Sequence, residues 1–382
     1  MGRVLLYGDI DLSIWDTLPT PSKHLLLRPR PSTQLMRSAS LSGYEDLVRS
    51  LGREPRLFLR SVGLNQSALR DPQALIARDA ARELLEITAR ATQCEDFALR
   101  LAAQRRLSAL GPISLVLKEE PTPAQALQTL CRYVQLVNPS LMLHVEQAGA
   151  WTILREELLP SPGLVMRQSV ELAVGSLHQL LRELVGPHWR AREVCFTHRP
   201  PQDLRAHRAF FAGPVKFNQD FNGLVCLTRD LTQPRAASDQ LAAGFARQYL
   251  DAALHAQRVS VQESIYPLIL AALPSGSCTA TSVARLCGID RRTLHRQLQA
   301  EGWSFSRLLD QVRLDLVRKH LRESDLALGE MASLLGFARQ SSLSHWCQRH
   351  LGCSASQWRS QALGTRPPAQ PAPHRAQKTR RA

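Results

Sequence analysis

No stretch of this sequence stays apolar for the roughly 20 residues that a membrane helix needs. The opening run, MGRVLLYGDIDLSIW, carries Asp9 and Asp11 inside its apolar part, so it reads as neither a signal peptide nor a span. Paired cysteines are missing too. Cys94, Cys131, Cys195, Cys226, Cys278, Cys287, Cys347 and Cys353 are scattered without a CxxC spacing. With no export signal they read as reduced, mostly buried small hydrophobes. His345, Cys347, His350 and Cys353 do cluster, but His345 and Cys347 stand two apart and would diverge on a helix, so no metal is expected. No Gly-rich phosphate loop, GxSxG elbow or HExxH helix occurs. His144 in LMLHVE and His198 in CFTH could act only with partners in a cleft, and a strand histidine is more often a structural hydrogen-bonder. Neither catalytic residues nor a cofactor are expected.

What is present is basic, and unevenly so. The 382 residues, 44% of them apolar, suffice for two or three domains with real cores and carry a net charge of +15. Residues 1–264 hold 31 basic and 26 acidic groups, 265–364 hold 12 and 7, and 365–382 hold 5 and none. Charge density therefore rises toward the C-terminus, where a phosphate-bearing partner would sit.

Between Cys278 and Arg359 one short pattern occurs twice: SVARLCGI, Ser282 to Ile289, and EMASLLGF, Glu330 to Phe337. In each, an alanine, Ala284 or Ala332, stands four residues before a glycine, Gly288 or Gly336. A small residue lets two helices approach and a glycine permits the turn between them, which predicts two helix-turn-helix units. An amphipathic, polar-studded segment follows each turn, RRTLHRQLQAEG and then RQSSLSHWCQRHLG, in the place of a recognition helix. From Ser304 to Arg322, apolar Phe305, Leu308, Leu309, Val312 and Leu316 recur at helical steps, with Arg307, Arg313, Arg318 and Lys319 elsewhere. At about 1.5 Å per residue one such helix reaches nearly 30 Å, close to the roughly 34 Å between successive major grooves on one face of DNA.

In the first unit Asp290 is placed to cap the second helix, and Leu294 and Leu298, four apart, would face inward. Arg291, Arg292, His295, Arg296 and Gln299 then fall toward a groove, where arginine suits guanine and glutamine suits adenine through paired hydrogen bonds. The bland alternative is a solvated basic face.

These runs, with LALGEMASLLGF and SSLSHWCQRHLGCSASQW, resemble the DNA-binding domain of AraC/XylS-type bacterial transcription regulators over Val261 to Leu363. The resemblance places base-contacting positions on Arg292, His295 and Arg296, and on Gln340, Ser341, Ser344 and His345. It also implies promoter DNA and RNA polymerase as partners, with activation the commoner outcome. The second unit departs from the family pattern. Ala338 stands where a capping Ser is usual, His345 where Arg is usual, Cys347 in place of an aromatic and Gln348 in place of a cation, and Ala355 and Trp358 replace Pro and Tyr. Fewer fixed charges mean fewer phosphate contacts, so the first unit is expected to do most of the sequence reading.

Residues 1–35, with Pro19, Pro21, Pro29 and Pro31 among basic groups, read as a flexible leader, and Met36 as a second candidate start of translation. Tyr44, Leu47, Val48 and Leu51 make one helical stripe and Leu84, Leu85 and Ile87 begin another; Pro123 opens a helix over Thr122 to Val137. LMLHVE, Leu141 to Glu146, and WTILRE, Trp151 to Glu156, are separated by four residues including Gly149, the signature of a hairpin. A long helix, Leu164 to Leu184, and short strands near 194–198, 215–217 and 224–228 complete an α+β domain with antiparallel strands. GLNQSALRDP, CEDFALRLA, EPTPAQALQTLCRY, REVCFTHRPP and FFAGPVKFNQ, in that order between Tyr44 and Asp239, are similar to the ligand-binding N-terminal domain of one subgroup of AraC-type regulators. That similarity implies a small-molecule effector and leaves its identity and its site open.

The chain thus divides into an α+β sensor over 36–235, a linker helix over 236–260 that joins the two parts or pairs two subunits into a homodimer, and an all-α domain over 261–363 in which a long helix joins two helix-turn-helix units. A disordered basic tail is expected over 364–382. The expected protein is a cytoplasmic, sequence-specific DNA-binding regulator under metabolite control, without a membrane partner. A ligand-independent architectural DNA protein and an enzyme domain fused to a DNA reader are the alternatives.

Overall fold

In a computed structural model of the chain, residues 35–161, 163–235, 240–256, 261–287 and 289–362 are described. The leader through residue 34, Gly288 and the basic tail lie outside the described residues.

The N-terminal part is built on two cores. Around the first, β1 (Leu35–Arg37) pairs antiparallel with β2 (Leu75–Ala77), and α1 (Tyr44–Ser50), α2 (Pro55–Ser61), α3 (Gln66–Arg70), α4 (Arg78–Ala91) and α5 (Phe97–Ala103) pack about this ribbon. The apolar stripes are what is buried. Tyr44, Leu47 and Val48 of α1 meet Leu84 and Leu85 of α4, and the Tyr44 hydroxyl, 2.7 Å from Thr88 Oγ1, is satisfied inside the core. The ribbon itself is an addition to the expected pattern, and it takes in Leu35 from the stretch that reads as leader.

The second core lies between a sheet and α6 (Pro112–Glu119), α7 (Pro123–Tyr133) and α8 (Arg167–Val185). The strands β3 (Leu141–Ala148), β4 (Trp151–Leu158), β5 (Glu193–Cys195), β6 (Val215–Lys216) and β7 (Asn222–Leu227) are ordered β3-β4-β7-β5-β6. β3 and β4 form the expected hairpin, with Ala148 opposite Trp151 across Gly149 and Ala150. One pairing differs from the antiparallel expectation: β5 and β6 run parallel, joined through α9 (Arg205–Phe211), since two parallel strands need a long crossover. After α10 (Thr228–Leu231), α11 (Gln240–Ala256) lays Ala246 and Leu250 into this same core. Arg247 Nη2 to Glu120 (2.8 Å) and Tyr133 Oη to Asp251 (2.6 Å) fasten it there. Its other face is bare: Leu241, Phe245 and Tyr249, at four-residue steps, are 73%, 66% and 56% exposed.

The C-terminal part is all helical: α12 (Val261–Ala272), α13 (Ala280–Leu286), α14 (Arg291–Ala300), α15 (Phe305–Glu323), α16 (Leu328–Leu334), α17 (Gln340–Leu351) and α18 (Ala355–Ala362). Leu294, Leu298, Leu308, Val312, Leu316, Met331 and Leu343 share one core, which Met142 and Leu159 from the open end of the β3–β4 hairpin also enter. α15 is unbroken for 19 residues. Ser304 caps it by accepting from Arg307 N at 3.2 Å. Ser304→Ala is expected to cost about 1 kcal/mol in urea unfolding, with Ser304→Asp restoring most of it. Among the described residues, no helix is long and apolar enough to cross a membrane.

Candidate functional site

Both repeats fold as a short helix, a turn and a longer helix, α13–α14 and α16–α17. Ala284 and Ala332 are each buried in the shared core. Gly336 adopts φ +69°, and a Cβ there would stand 2.7 Å from Leu273 O, so conformation and neighbour both demand glycine. The matching role given to Gly288 lies outside the described residues.

In the first unit Asp290 caps α14, accepting from Thr293 N at 2.8 Å while Thr293 Oγ1 donates to its other oxygen at 2.8 Å. Those bonds hold its carboxyl below the usual range. Leu294 and Leu298 are buried, and Arg291, Arg292, His295, Arg296 and Gln299 are all exposed. α14 therefore turns a hydrogen-bonding, cationic face outward from a rigidly started helix.

α17 is made differently. Its N-cap is Arg339, one residue beyond Ala338, and no side chain caps it, so neither Ser341 nor Ser342 substitutes. Gln340, Ser341 and His345 are exposed, whereas Ser344 is half-buried and its Oγ donates back to Gln340 O at 3.1 Å. Cys347 fills the core. Trp346 Nε1 donates to Asp310 of α15 at 2.9 Å, and its ring stacks on His350 at 4.4 Å. Among the described residues no three metal-ligating side chains gather.

The basic residues of α15 are only partly turned to solvent. Arg313 lies 4.3 Å over the Phe337 ring and donates to Leu335 O at 3.0 Å, fastening the second turn. Lys319, expected on the polar side, is buried and pairs with Glu157 of β4 at 2.9 Å. The N-terminal part also holds the end of this helix. Carbonyls of a last helical turn have no intrahelical donor. Arg199, a few residues beyond β5, supplies several: Nη1 to Arg322 O (2.5 Å), Nη2 to Ser324 O (2.9 Å) and the backbone N–H to Glu323 O (2.8 Å), with Nε on Asp325 Oδ1 (2.6 Å). A guanidinium there also suits the negative end of the helix dipole. Asn218 Oδ1 adds a bond from Asp325 N at 3.0 Å.

Behind Arg199 stands His198, whose Nδ1 donates to Arg199 O at 2.8 Å and whose Nε2 is 3.6 Å from Glu171 Oε1. Glu171, wholly buried on α8, also takes Arg167 Nε at 2.9 Å and lies 3.1 Å from His207 Nε2. Burial pushes His198 down to about 4, so the ring is neutral near pH 7. Burial works to raise Glu171, but the His207 hydrogen bond and the Arg167 charge outweigh it and keep the carboxyl below its ordinary value. His198 is thus a buried hydrogen-bonder within a polar network, and His144 sits apart on edge strand β3.

α8 also faces a cavity of about 140 Å³ at the seam of the two N-terminal cores. Leu85, Leu130, Leu158, Leu172 and Leu177 are among its walls. Three lining polar atoms, Glu156 Oε2, Ser169 Oγ and Arg105 Nε, are buried without a hydrogen-bond partner among the described residues. Burial alone pushes Glu156 up to about 8 and Arg105 down to about 10. Arg82, also in the lining, is by contrast engaged by Leu159 O at 2.7 Å and Ser140 Oγ at 2.9 Å. Nothing in the local sequence marks Arg105 or Glu156, since only tertiary packing takes water away from them.

Residues 52–235 match a family described as the arabinose-binding domain of AraC transcription regulator, N-terminal, and residues 283–361 match a helix-turn-helix domain. The HTH-type transcriptional regulator VirS of Mycobacterium tuberculosis is 30% identical over 328 residues, which are 85% of this chain and 96% of that one. The ornithine utilization regulator of Pseudomonas aeruginosa is 25% identical over 272 residues, 70% of this chain and 79% of that one. The crystal structure of the transcriptional regulator CdpR from Pseudomonas aeruginosa aligns over 82% of this chain and 97% of its own at 22% identity, with a TM-score of 0.41.

Proposed function

Because the chain belongs to the AraC family of transcription regulators, we propose that it reads promoter DNA with α14 and α17 together, in the cytoplasm, and that a small metabolite held by the N-terminal part sets how well it does so. The observation that carries this reading is α15: one unbroken helix of 19 residues between two helices whose polar faces are uncovered. Arg291, Arg292, His295, Arg296 and Gln299 would meet bases and phosphates in one major groove, and Gln340, Ser341, Ser344 and His345 in the next. Activation would follow from contact with RNA polymerase. Footprinting on the operator is the test. Protection of two successive major grooves on one face is expected, and protection of a single groove defeats the proposal.

Arg199 supports a route for control. Its grip ties the end of α15, and so the setting of the second unit, to the part that holds the cavity. α8 joins the two, with Ser169 in the cavity wall and Glu171 in the network that reaches His198 and Arg199. A ligand that fits one position of α8 better than another would shift the population of domain arrangements. An architectural DNA protein needs no such cavity.

The bare stripe of Leu241, Phe245 and Tyr249 on α11 is our candidate homodimer contact, since apolar residues at four-residue steps on one helix face suit pairing with a like helix. Phe245→Asp is expected to convert a dimer to a monomer in analytical ultracentrifugation with the circular dichroism unchanged. A wild-type chain that stays monomeric at every concentration removes the idea.

A further inference from the structure

We propose that the cavity beside α8 takes a small, elongated carboxylic acid, with its carboxylate on Arg105 and its apolar body along the leucine-lined wall. This deepens the reading of the N-terminal part as an effector-binding domain and rests on it. Four observations lead there.

The first is size and shape. The void is comparable with the roughly 150 Å³ apolar cavity that accepts benzene, so it suits a small molecule rather than a cofactor. Along α8 its lining runs from Ser169 to Leu180, about 16 Å at the helical rise. That favours an extended body over a compact one.

The second is the wall. Leu172, Ala173 and Leu177 of α8 face Leu85, Leu130 and Leu158, and an apolar chain there would be removed from water at about 25 cal/mol per Å².

The third is charge. Arg105 forms no ion pair with any described residue; its Nη2 donates only to the carbonyl of Ser40, and its Nε is left over. The guanidinium stays ionised near pH 7, whereas Glu156, which pairs with no cation among the described residues, holds its proton. Of these two groups only the arginine is charged, so together they invite an anion and offer an amine little.

The fourth is the leftover hydrogen-bonding capacity. Arg105 Nε and the Ser169 hydroxyl are donors, and a protonated Glu156 is a third. Buried polar groups without partners are costly, and a bound acid that engages Arg105 relieves the largest of these costs.

The test is calorimetric titration of the full-length protein with octanoate, octanamide and octylamine, with melting temperature followed in parallel. Octanoate should bind and raise the melting temperature, and the amide and amine should not. Arg105→Gln should weaken octanoate about thirtyfold or more, the usual scale for removing one partner of a buried charge-assisted contact. Glu156→Gln should change it by less than about threefold, because the native group is already neutral. Ala173→Leu, which fills the slot without touching a charge, should abolish binding while circular dichroism stays native. Binding of octylamine that depends on Glu156, equal binding of acid and amide, or no binding of any of the three overturns the proposal. If octanoate binds through Arg105 but operator affinity is the same with and without it, the ligand class stands and control of DNA binding by this cavity falls.

Discussion

Arg296→Ala is expected to weaken specific operator binding by about 10- to 100-fold, and His345→Ala by no more than about threefold. The asymmetry follows from how the two recognition helices are made. Arg296 projects from α14, whose first turn is fixed by the Asp290 cap and whose inner side is fixed by Leu294 and Leu298. A guanidinium so held can present two parallel N–H groups to guanine, a contact whose loss costs about 1–3 kcal/mol. α17 begins without a side-chain cap, and His345 offers at most one donor or acceptor per ring nitrogen. Competition binding on one operator at one salt concentration decides the matter, because phosphate contacts alone make affinities vary steeply with salt. Equal losses in the two variants would contradict the ranking.

Arg199→Ala should uncouple the two parts of the molecule. The substitution removes the guanidinium bonds to the carbonyls of Arg322 and Ser324 and the bond to Asp325, leaving the last turn of α15 without those donors. Charge-assisted hydrogen bonds of this kind contribute about 1.5–3 kcal/mol each, so a loss of roughly 2–4 kcal/mol of interdomain coupling is expected after water recovers part of the cost. Calorimetry should then resolve two melting steps where the wild type shows one, and the effector should no longer change operator affinity. Lys319→Met, combined with Glu157→Gln so that no buried charge is stranded, should weaken the same seam by less, as replacement of a whole ion pair usually does. An Arg199→Ala protein that melts in one unaltered step, with its effector response intact, would remove Arg199 from the coupling.

Much of the fold could be read from the chain because its key elements are long and periodic. The stripe from Leu308 to Leu316 marks α15 to within a residue or two, and two strand-like runs parted by a short segment with Gly149 mark the hairpin. Asp290 announces its cap by position alone. The elements that escaped are of other kinds. β1 and β2 are three residues each, too short for any period to register. The parallel pairing of β5 and β6 depends on a crossover that two short strands do not advertise. Lys319 and Arg199 look like solvated cations in sequence, and only a partner more than a hundred residues away makes either a buried contact. The cavity is hidden for the same reason. The N-cap of α17 falls at Arg339 rather than Ala338, a one-residue shift at a helix end that no capping side chain fixes.

The close seat of Gly336 against the carbonyl of Leu273 means that the second turn rests on the segment that precedes the first unit. The two helix-turn-helix units are therefore pinned at both ends of their separation, once by one continuous helix and once by this abutment. A single base pair added between the half-sites rotates one of them by about 34° around the DNA axis, given 10–10.5 base pairs per turn. A molecule that cannot swivel to follow would lose one head's contacts altogether, so the phasing of the operator would be selected as stringently as its bases.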